Sequence, residues 1–150
     1  MRAVVQRVAR ASVTIAGELR ARIGPGLLIL VAVEDPDTGD DAEWLAGKLV
    51  RLRLFPDERG ERNRTVAEAG GGGLGRTEFS LSARTWEGNR PSFMRAARPE
   101  GAIPRYKEFL ALLEGALGRP VARGEFGADM QVELVNDGPV TLILDTRDPE

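Results

Sequence analysis

The stretch Thr77-Glu78-Phe79-Ser80-Leu81-Ser82 repeats a polar residue at every second position. In an extended chain Glu78, Ser80 and Ser82 share one face, and Thr77, Phe79, Leu81 and Ala83 share the other. A carboxylate and two hydroxyls in a row suit either a solvated sheet face or the floor of a polar site. One chemistry open to them is a Ser80 nucleophile with Glu78 as its base, which requires a carboxylate of raised pKa. The composition narrows the choice. The chain has no His and no Cys. That removes Ser-His-Asp triads, Cys nucleophiles and nearly all zinc sites, along with the side chain that titrates near neutrality. A hydrolase built from this sequence needs a perturbed carboxylate or Lys, the N-terminal amine, or a group on its substrate. No metal or organic cofactor is implied. Asp40, Asp41 and Glu43 read as the acidic start of a helix, favoured by its dipole. The run Gly70-Gly71-Gly72-Gly73-Leu74-Gly75 lacks the Gly-Lys-Ser/Thr ending and the following helix of a phosphate loop, and reads as a flexible loop.

The second notable stretch is Asn136-Asp137-Gly138-Pro139-Val140-Thr141. Apolar alternating runs, Met130 to Val135 and Val140 to Leu144, flank it, as in a hairpin. Pro139 has no N–H to give a ladder and pushes Gly138 toward extended geometry. The corner therefore offers bare backbone, suited to a task in which a side chain would obstruct.

These stretches need a scaffold. Arg2–Val8, Ser12–Ile15, Leu19–Ile23 and Leu27–Val33 read as sequential strands, with a tight turn at Ala16-Gly17-Glu18 and a break at Gly24-Pro25-Gly26. Thr38, with Asp41 three residues on, opens an amphipathic helix to about Arg51 along Ala42, Leu45, Ala46, Leu49 and Leu52. Trp44 falls off that stripe and reads as half-buried. Leu52–Phe55 is a short strand candidate, and Asp57-Glu58-Arg59-Gly60 a hairpin tip. Arg76–Ala83 reads as a strand. Gly88-Asn89-Arg90-Pro91-Ser92-Phe93 is a loop with a basic residue and an aromatic of buried type. Pro104 starts a second helix along Tyr106, Phe109, Leu110, Leu113 and Leu117, closed by Gly118 and Pro120. Val121 opens another extended piece, and the tail Arg147–Glu150 is expected to fray. The predicted class is α+β: an antiparallel-rich β-sheet or barrel with two packed helices, in one domain over 1–150.

The chain's 150 residues suffice for one core, and its net charge of −2 argues against broad, non-specific nucleic-acid binding. Basic residues are nearly all Arg, with Lys48 and Lys107 the exceptions, which reads as a compositional bias. No run approaches the roughly 20 apolar residues of a membrane span, and the N-terminus is too short and too charged for a signal peptide. A cytoplasmic protein without membrane association is expected.

Four stretches together, Met1-Arg2-Ala3-Val4-Val5-Gln6-Arg7-Val8, Gly88–Phe93, Phe126-Gly127-Ala128-Asp129-Met130 and Asn136–Thr141 running on to Leu144-Asp145-Thr146, resemble the D-aminoacyl-tRNA deacylases over essentially the whole chain. The resemblance implies a homodimer that hydrolyses the ester between a D-amino acid and the tRNA 3′ end. It implies that a cis Gly138–Pro139 peptide reaches into the partner subunit's pocket and rejects L side chains, with Arg7 holding it in place. Glycine and a broad range of D-amino acids would pass. Gln6, Phe126, Met130 and Asn136 join the substrate-binding set on the same grounds, and Thr77, Glu78, Phe79 and Ser80 form the catalytic segment. The resemblance further implies that the tRNA 2′-hydroxyl activates water, while backbone N–H groups around Phe79 and Ser80 bind the ester oxygen. The chain departs from the family pattern Ser-Gln-x-Thr-Leu at Thr77-Glu78-Phe79-Ser80-Leu81, where Glu78 replaces an amide with an acceptor. Ser82-Ala83-Arg84 stands for Tyr-Ala-Asp. These departures leave two alternatives open: a Ser80-nucleophile esterase, or a tRNA-end binding dimer with impaired catalysis.

Overall fold

The computed structural model describes residues 1–149. Its centre is β1 (Arg2–Ile15), a 14-residue strand. One edge of β1 is shared: residues 2–8 pair antiparallel with β3 (Gly26–Ala32), and residues 11–15 with β2 (Glu18–Ile23). The two strands expected at Arg2–Val8 and Ser12–Ile15 are thus one. Ala9 and Arg10 are exposed but do not break the run, because β8 (Met130–Asp145) pairs along the whole of the other edge. Beyond β3 the sheet continues in parallel through β6 (Gly72–Thr77) to β7 (Ala122–Arg123), giving six strands in all. β4 (Phe55–Pro56) and β5 (Arg62–Arg64) form a separate hairpin around Asp57–Gly60, as expected.

The hairpin expected at Asn136–Pro139 is not one. Both flanking runs belong to β8 and pair with β1, Thr141 opposite Gln6 and Asn136 opposite Val8. Residues 137–140 bulge out between these pairs. Pro139 cannot donate to the ladder, and the Asn136 amide fills the gap by donating to the carbonyls of Arg7 at 3.0 Å and Val140 at 2.9 Å.

From Gly72 onward the glycine run is likewise a strand and not a flexible loop. A Cβ on Gly26 would sit 2.1 Å from the Gly72 carbonyl oxygen, and one on Gly75 would lie 2.9 Å from Leu110 Cδ2. The missing side chains let β6 lie close against β3 and under the second helix.

Helix α1 (Gly39–Arg51) begins as expected: the Asp41 carboxylate accepts the Thr38 N–H at 2.8 Å. Its stripe Ala42, Leu45, Ala46 and Leu49 is buried, and Trp44 is partly buried with the Lys48 ammonium 5.6 Å from its ring centre. Helix α2 (Pro99–Leu117) starts five residues before the expected Pro104. Pro99 takes the first position, where a missing N–H costs nothing, and the apolar stripe extends back to Ala102. Both helices pack on one face of the sheet, over a core containing Val5, Ile29, Leu45 and Phe109; a smaller cluster around Val13, Leu28 and Leu74 fills the other face. Arg147 is not frayed: its guanidinium meets Glu34 at 2.7 Å and Asp37 at 3.5 Å. Glu150 lies outside the described residues. No described helix is long and apolar enough to cross a membrane.

Candidate active site

The ladder of β6 ends at Thr77. The Glu78 N–H donates to Val31 O at 2.7 Å, and the chain then turns into a 3-10 helix over Phe79–Ser82. The expected strand through Ala83 is therefore cut short, and Glu78, Ser80 and Ser82 do not share a face. Ser80 is exposed, whereas Ser82 is 2% exposed and its hydroxyl donates to the buried Glu34 carboxylate at 3.3 Å. The cause is local. The Glu78 carboxylate accepts both the Ser80 N–H, at 3.3 Å, and the Ser80 hydroxyl, an N-cap that competes with continued extension. Arg2 ties the turn to β1 by donating to Leu81 O at 2.8 Å and to Asp145 at 3.1 Å. Burial pushes Asp145 up, but the Arg147 N–H and Arg2 outweigh it and hold the carboxyl below its ordinary value.

This turn borders a pocket of about 130 Å³. Thr77 and Phe79 line it from one side, and Phe126 and Met130 from the other, with Arg76 and Ala102 among the remaining walls. Phe79 (58% exposed) and Phe126 (37% exposed) stand as apolar surface there. Phe93, read from sequence as a buried type, is 41% exposed and packs edge-on to Phe79 with ring centres 5.0 Å apart. Arg76 brings its guanidinium to 4.0 Å from the Glu78 carboxylate. No spacing or motif singles out the roles of Arg2, Arg76, Glu34 or Arg147, since these come from neighbours far away in the chain.

Of the expected oxyanion donors, the Ser80 N–H is occupied by the Glu78 carboxylate. The Phe79 N–H has no protein acceptor among the described residues, as befits the first donor of a helical turn. A Gln at position 78 would present an amide in place of this carboxylate, so the departure from the family motif acts directly on a candidate donor.

The remaining predicted residues gather elsewhere. Gly138 and Pro139 are exposed, their peptide is cis, as the resemblance implies, and Gly138 has φ +124°. Beneath them Arg7 is 8% exposed; its guanidinium donates to the carbonyls of Leu54 and Asp137, the latter at 3.1 Å. Gln6 donates to Thr141, which in turn donates to Asn136 at 3.3 Å. None of these residues lines the pocket. Met130 and Asn136 are six residues apart on one strand, about 20 Å. A larger cleft of about 240 Å³ across Arg10, Ser12, Arg22 and Glu133 holds none of the predicted set.

The chain as a whole matches a known group. Residues 4–145 fit the family described as D-Tyr-tRNA(Tyr) deacylase. The chain belongs to this family. A D-aminoacyl-tRNA deacylase of Parabacteroides distasonis is 54% identical over 150 residues, all of both chains. Among solved structures, one described as the c-Myc DNA unwinding element binding protein superposes with TM-score 0.92 at 40% identity, covering 97% of this chain and 99% of its own. A probable eukaryotic D-amino acid tRNA deacylase shares the fold at TM-score 0.83 and 16% identity, covering 95% and 97%. The α+β deacylase fold expected from sequence is thereby established.

Proposed function

We propose that this deacylase-family chain proofreads chirality: it hydrolyses the ester joining a D-amino acid, or glycine mischarged on tRNA, to the tRNA 3′ end, and spares L-amino acids through the backbone at Gly138–Pro139. Hydrolysis of D-aminoacyl-tRNA esters rests on the family match and on relatives at half identity or more over the full chain. The finer reading is carried by one observation: the pocket of Thr77, Phe79, Phe126 and Met130 and the exposed Gly138–Pro139 corner are separate parts of one chain. Two copies, each placing its corner in the other's pocket, complete both parts. The 68% exposure of Ile143, on the strand that carries the corner, supports a second copy there. A rigid backbone wedge excludes L side chains and asks nothing of a D side chain or of glycine. The cytoplasmic location expected of such a homodimer rests on this tRNA substrate.

Water, activated by the terminal 2′-hydroxyl of the tRNA, attacks the ester carbonyl carbon. The carbonyl oxygen gains negative charge, met by the Phe79 N–H and, once the Glu78 carboxylate swings aside, by the Ser80 N–H. Collapse breaks the bond to the ribose 3′-oxygen, which takes a proton, leaving free amino acid and uncharged tRNA. The chain's lack of His agrees with a base supplied by the substrate.

The hydrogen bond from the Ser80 hydroxyl to Glu78 favours a second reading, in which Ser80 attacks the ester and forms an acyl-enzyme. Hydrolysis of D-tyrosyl-, L-tyrosyl- and glycyl-tRNA by the parent protein and by Ser80→Ala separates the two. Loss of the D and glycyl esters with the L ester spared, by both proteins, is expected. A dead Ser80→Ala with acyl-Ser80 trapped in the parent would establish the second reading. Binding of all three tRNAs without turnover would leave a tRNA-end binding dimer instead, with rescue by Glu78→Gln.

A further inference from the structure

Residues 84–98 differ in charge from the rest of the chain. They hold Arg84, Arg90, Arg95 and Arg98 against Glu87 alone, so the segment is +3 in a chain of net −2, which leaves −5 elsewhere. Arg95 lies 3.5 Å from Glu34, but Arg84, Arg90 and Arg98 have no carboxylate within 4.0 Å among the described residues. The loop is closed at its base by reciprocal bonds between Arg84 and Ser92, 2.9 Å each way. Residues 85–91 between them are all exposed. Within this loop the Trp86 ring is 77% exposed. Phe93, just past the base, packs edge-on against Phe79 of the pocket, so the loop springs from the rim of the site described above.

An open indole flanked by unpaired guanidinium groups is the arrangement by which proteins hold single-stranded nucleic acid. A base stacks on the ring, and the arginines meet the phosphates. We propose that the Trp86 loop, with Arg84 and Arg90, binds the unpaired nucleotides that precede the terminal adenosine of the tRNA. This rests on the aminoacyl-tRNA reading of the pocket. Stacking needs no base readout, which suits a single-stranded 3′ terminus common to all tRNAs. The rest of the chain, at net −5, does not add to that attraction. A second copy of the same loop is a poor occupant, because it would bring another +3 against the first.

The test compares two substrates that differ only in these nucleotides: D-tyrosyl-tRNA and the minimal ester D-tyrosyl-adenosine. Trp86→Ala is expected to lose about tenfold in kcat/KM on the tRNA and nothing on the adenosine ester, with Trp86→Phe keeping most of the activity. Arg84→Ala combined with Arg90→Ala is expected to flatten the log–log salt dependence of tRNA binding by about 1.4. A direct readout uses the Trp44→Phe background, in which Trp86 is the sole tryptophan: an RNA oligonucleotide ending in CCA is expected to quench its fluorescence. Equal losses of Trp86→Ala on both esters, or a change in its sedimentation coefficient, overturn the proposal and assign the loop to the pocket wall or to a subunit contact. If the parent hydrolyses neither ester, the activity reading fails on its own. Quenching then still upholds an RNA-binding loop, and its absence overturns one.

Discussion

Replacing Arg7 probes what supports the exposed Gly138–Pro139 corner. Its buried guanidinium donates to Leu54 O and to Asp137 O, with the Asp137 carboxylate at 3.7 Å. A hydrogen bond from a charged donor contributes about 1.5–3 kcal/mol. Leu54 is buried, so losing its partner leaves an unpaired carbonyl that water reaches poorly, at about 2 kcal/mol. Asp137 is exposed, so water replaces the guanidinium there and the loss is about 1 kcal/mol. The ion pair adds little, because its carboxylate is 58% exposed. Arg7→Ala is thus expected to destabilise the fold by about 3 kcal/mol in urea unfolding, and Arg7→Lys, which can serve one carbonyl but not both, by about 1.5 kcal/mol. Since Asp137 precedes Gly138, loosening it loosens the corner on which the proposed chiral selection rests. The ratio of D- to L-tyrosyl-tRNA hydrolysis is expected to fall by about tenfold in Arg7→Ala, equivalent to about 1.4 kcal/mol of lost discrimination. A variant within about 0.5 kcal/mol of the parent with an unchanged ratio refutes Arg7 as the support.

Three further outcomes follow from the packing and the titrating groups. Gly26→Ala drives a Cβ into the Gly72 backbone and is expected to lose about 3 kcal/mol or more, read as a drop in the urea midpoint; a midpoint equal to the parent's would show that β3 and β6 are less tightly apposed. Tyr106, the sole tyrosine, is pushed up to about 12 by burial, against weaker pulls from Arg123 and Arg76. Its absorbance at alkaline pH is therefore expected to titrate near 12 in the folded protein, with stability declining once pH exceeds the unfolded value of about 10; a folded midpoint near 10 contradicts its burial. Asp145, held below its ordinary value, contributes stability that is present at neutral pH and lost as pH falls through its depressed folded pKa. Asp145→Asn is expected to be less stable than the parent at pH 7 and to converge on it below about pH 4; a gap that persists in acid would assign the loss to packing.

Local pattern was enough for much of the scaffold. Alternation marked β1 and β2, a continuous apolar run marked β3, helical spacing marked α1 and most of α2, and Thr38 with Asp41 marked a helix start that is present. Composition alone, through the missing His and Cys, narrowed the base of any hydrolase to a perturbed carboxylate or Lys, the N-terminal amine, or a group on the substrate. Motif order pointed to the family, because Asn136–Thr141 and Phe126–Met130 keep their identity whatever they touch. Tertiary structure decided the rest, because it depends on partners distant in sequence. Two apparent hairpin arms became one strand once β1 paired with both, and a glycine run became β6 once it paired with β3, with Gly26 too close to the Gly72 backbone and Gly75 too close to Leu110 of α2 for side chains. Alternation at Glu78, Ser80 and Ser82 described a face that does not exist: Val31 takes the Glu78 N–H, Glu34 takes the Ser82 hydroxyl, and the chain turns between them. That turn leaves a carboxylate on the Ser80 N–H, a fact of three-dimensional geometry that no spacing rule contains.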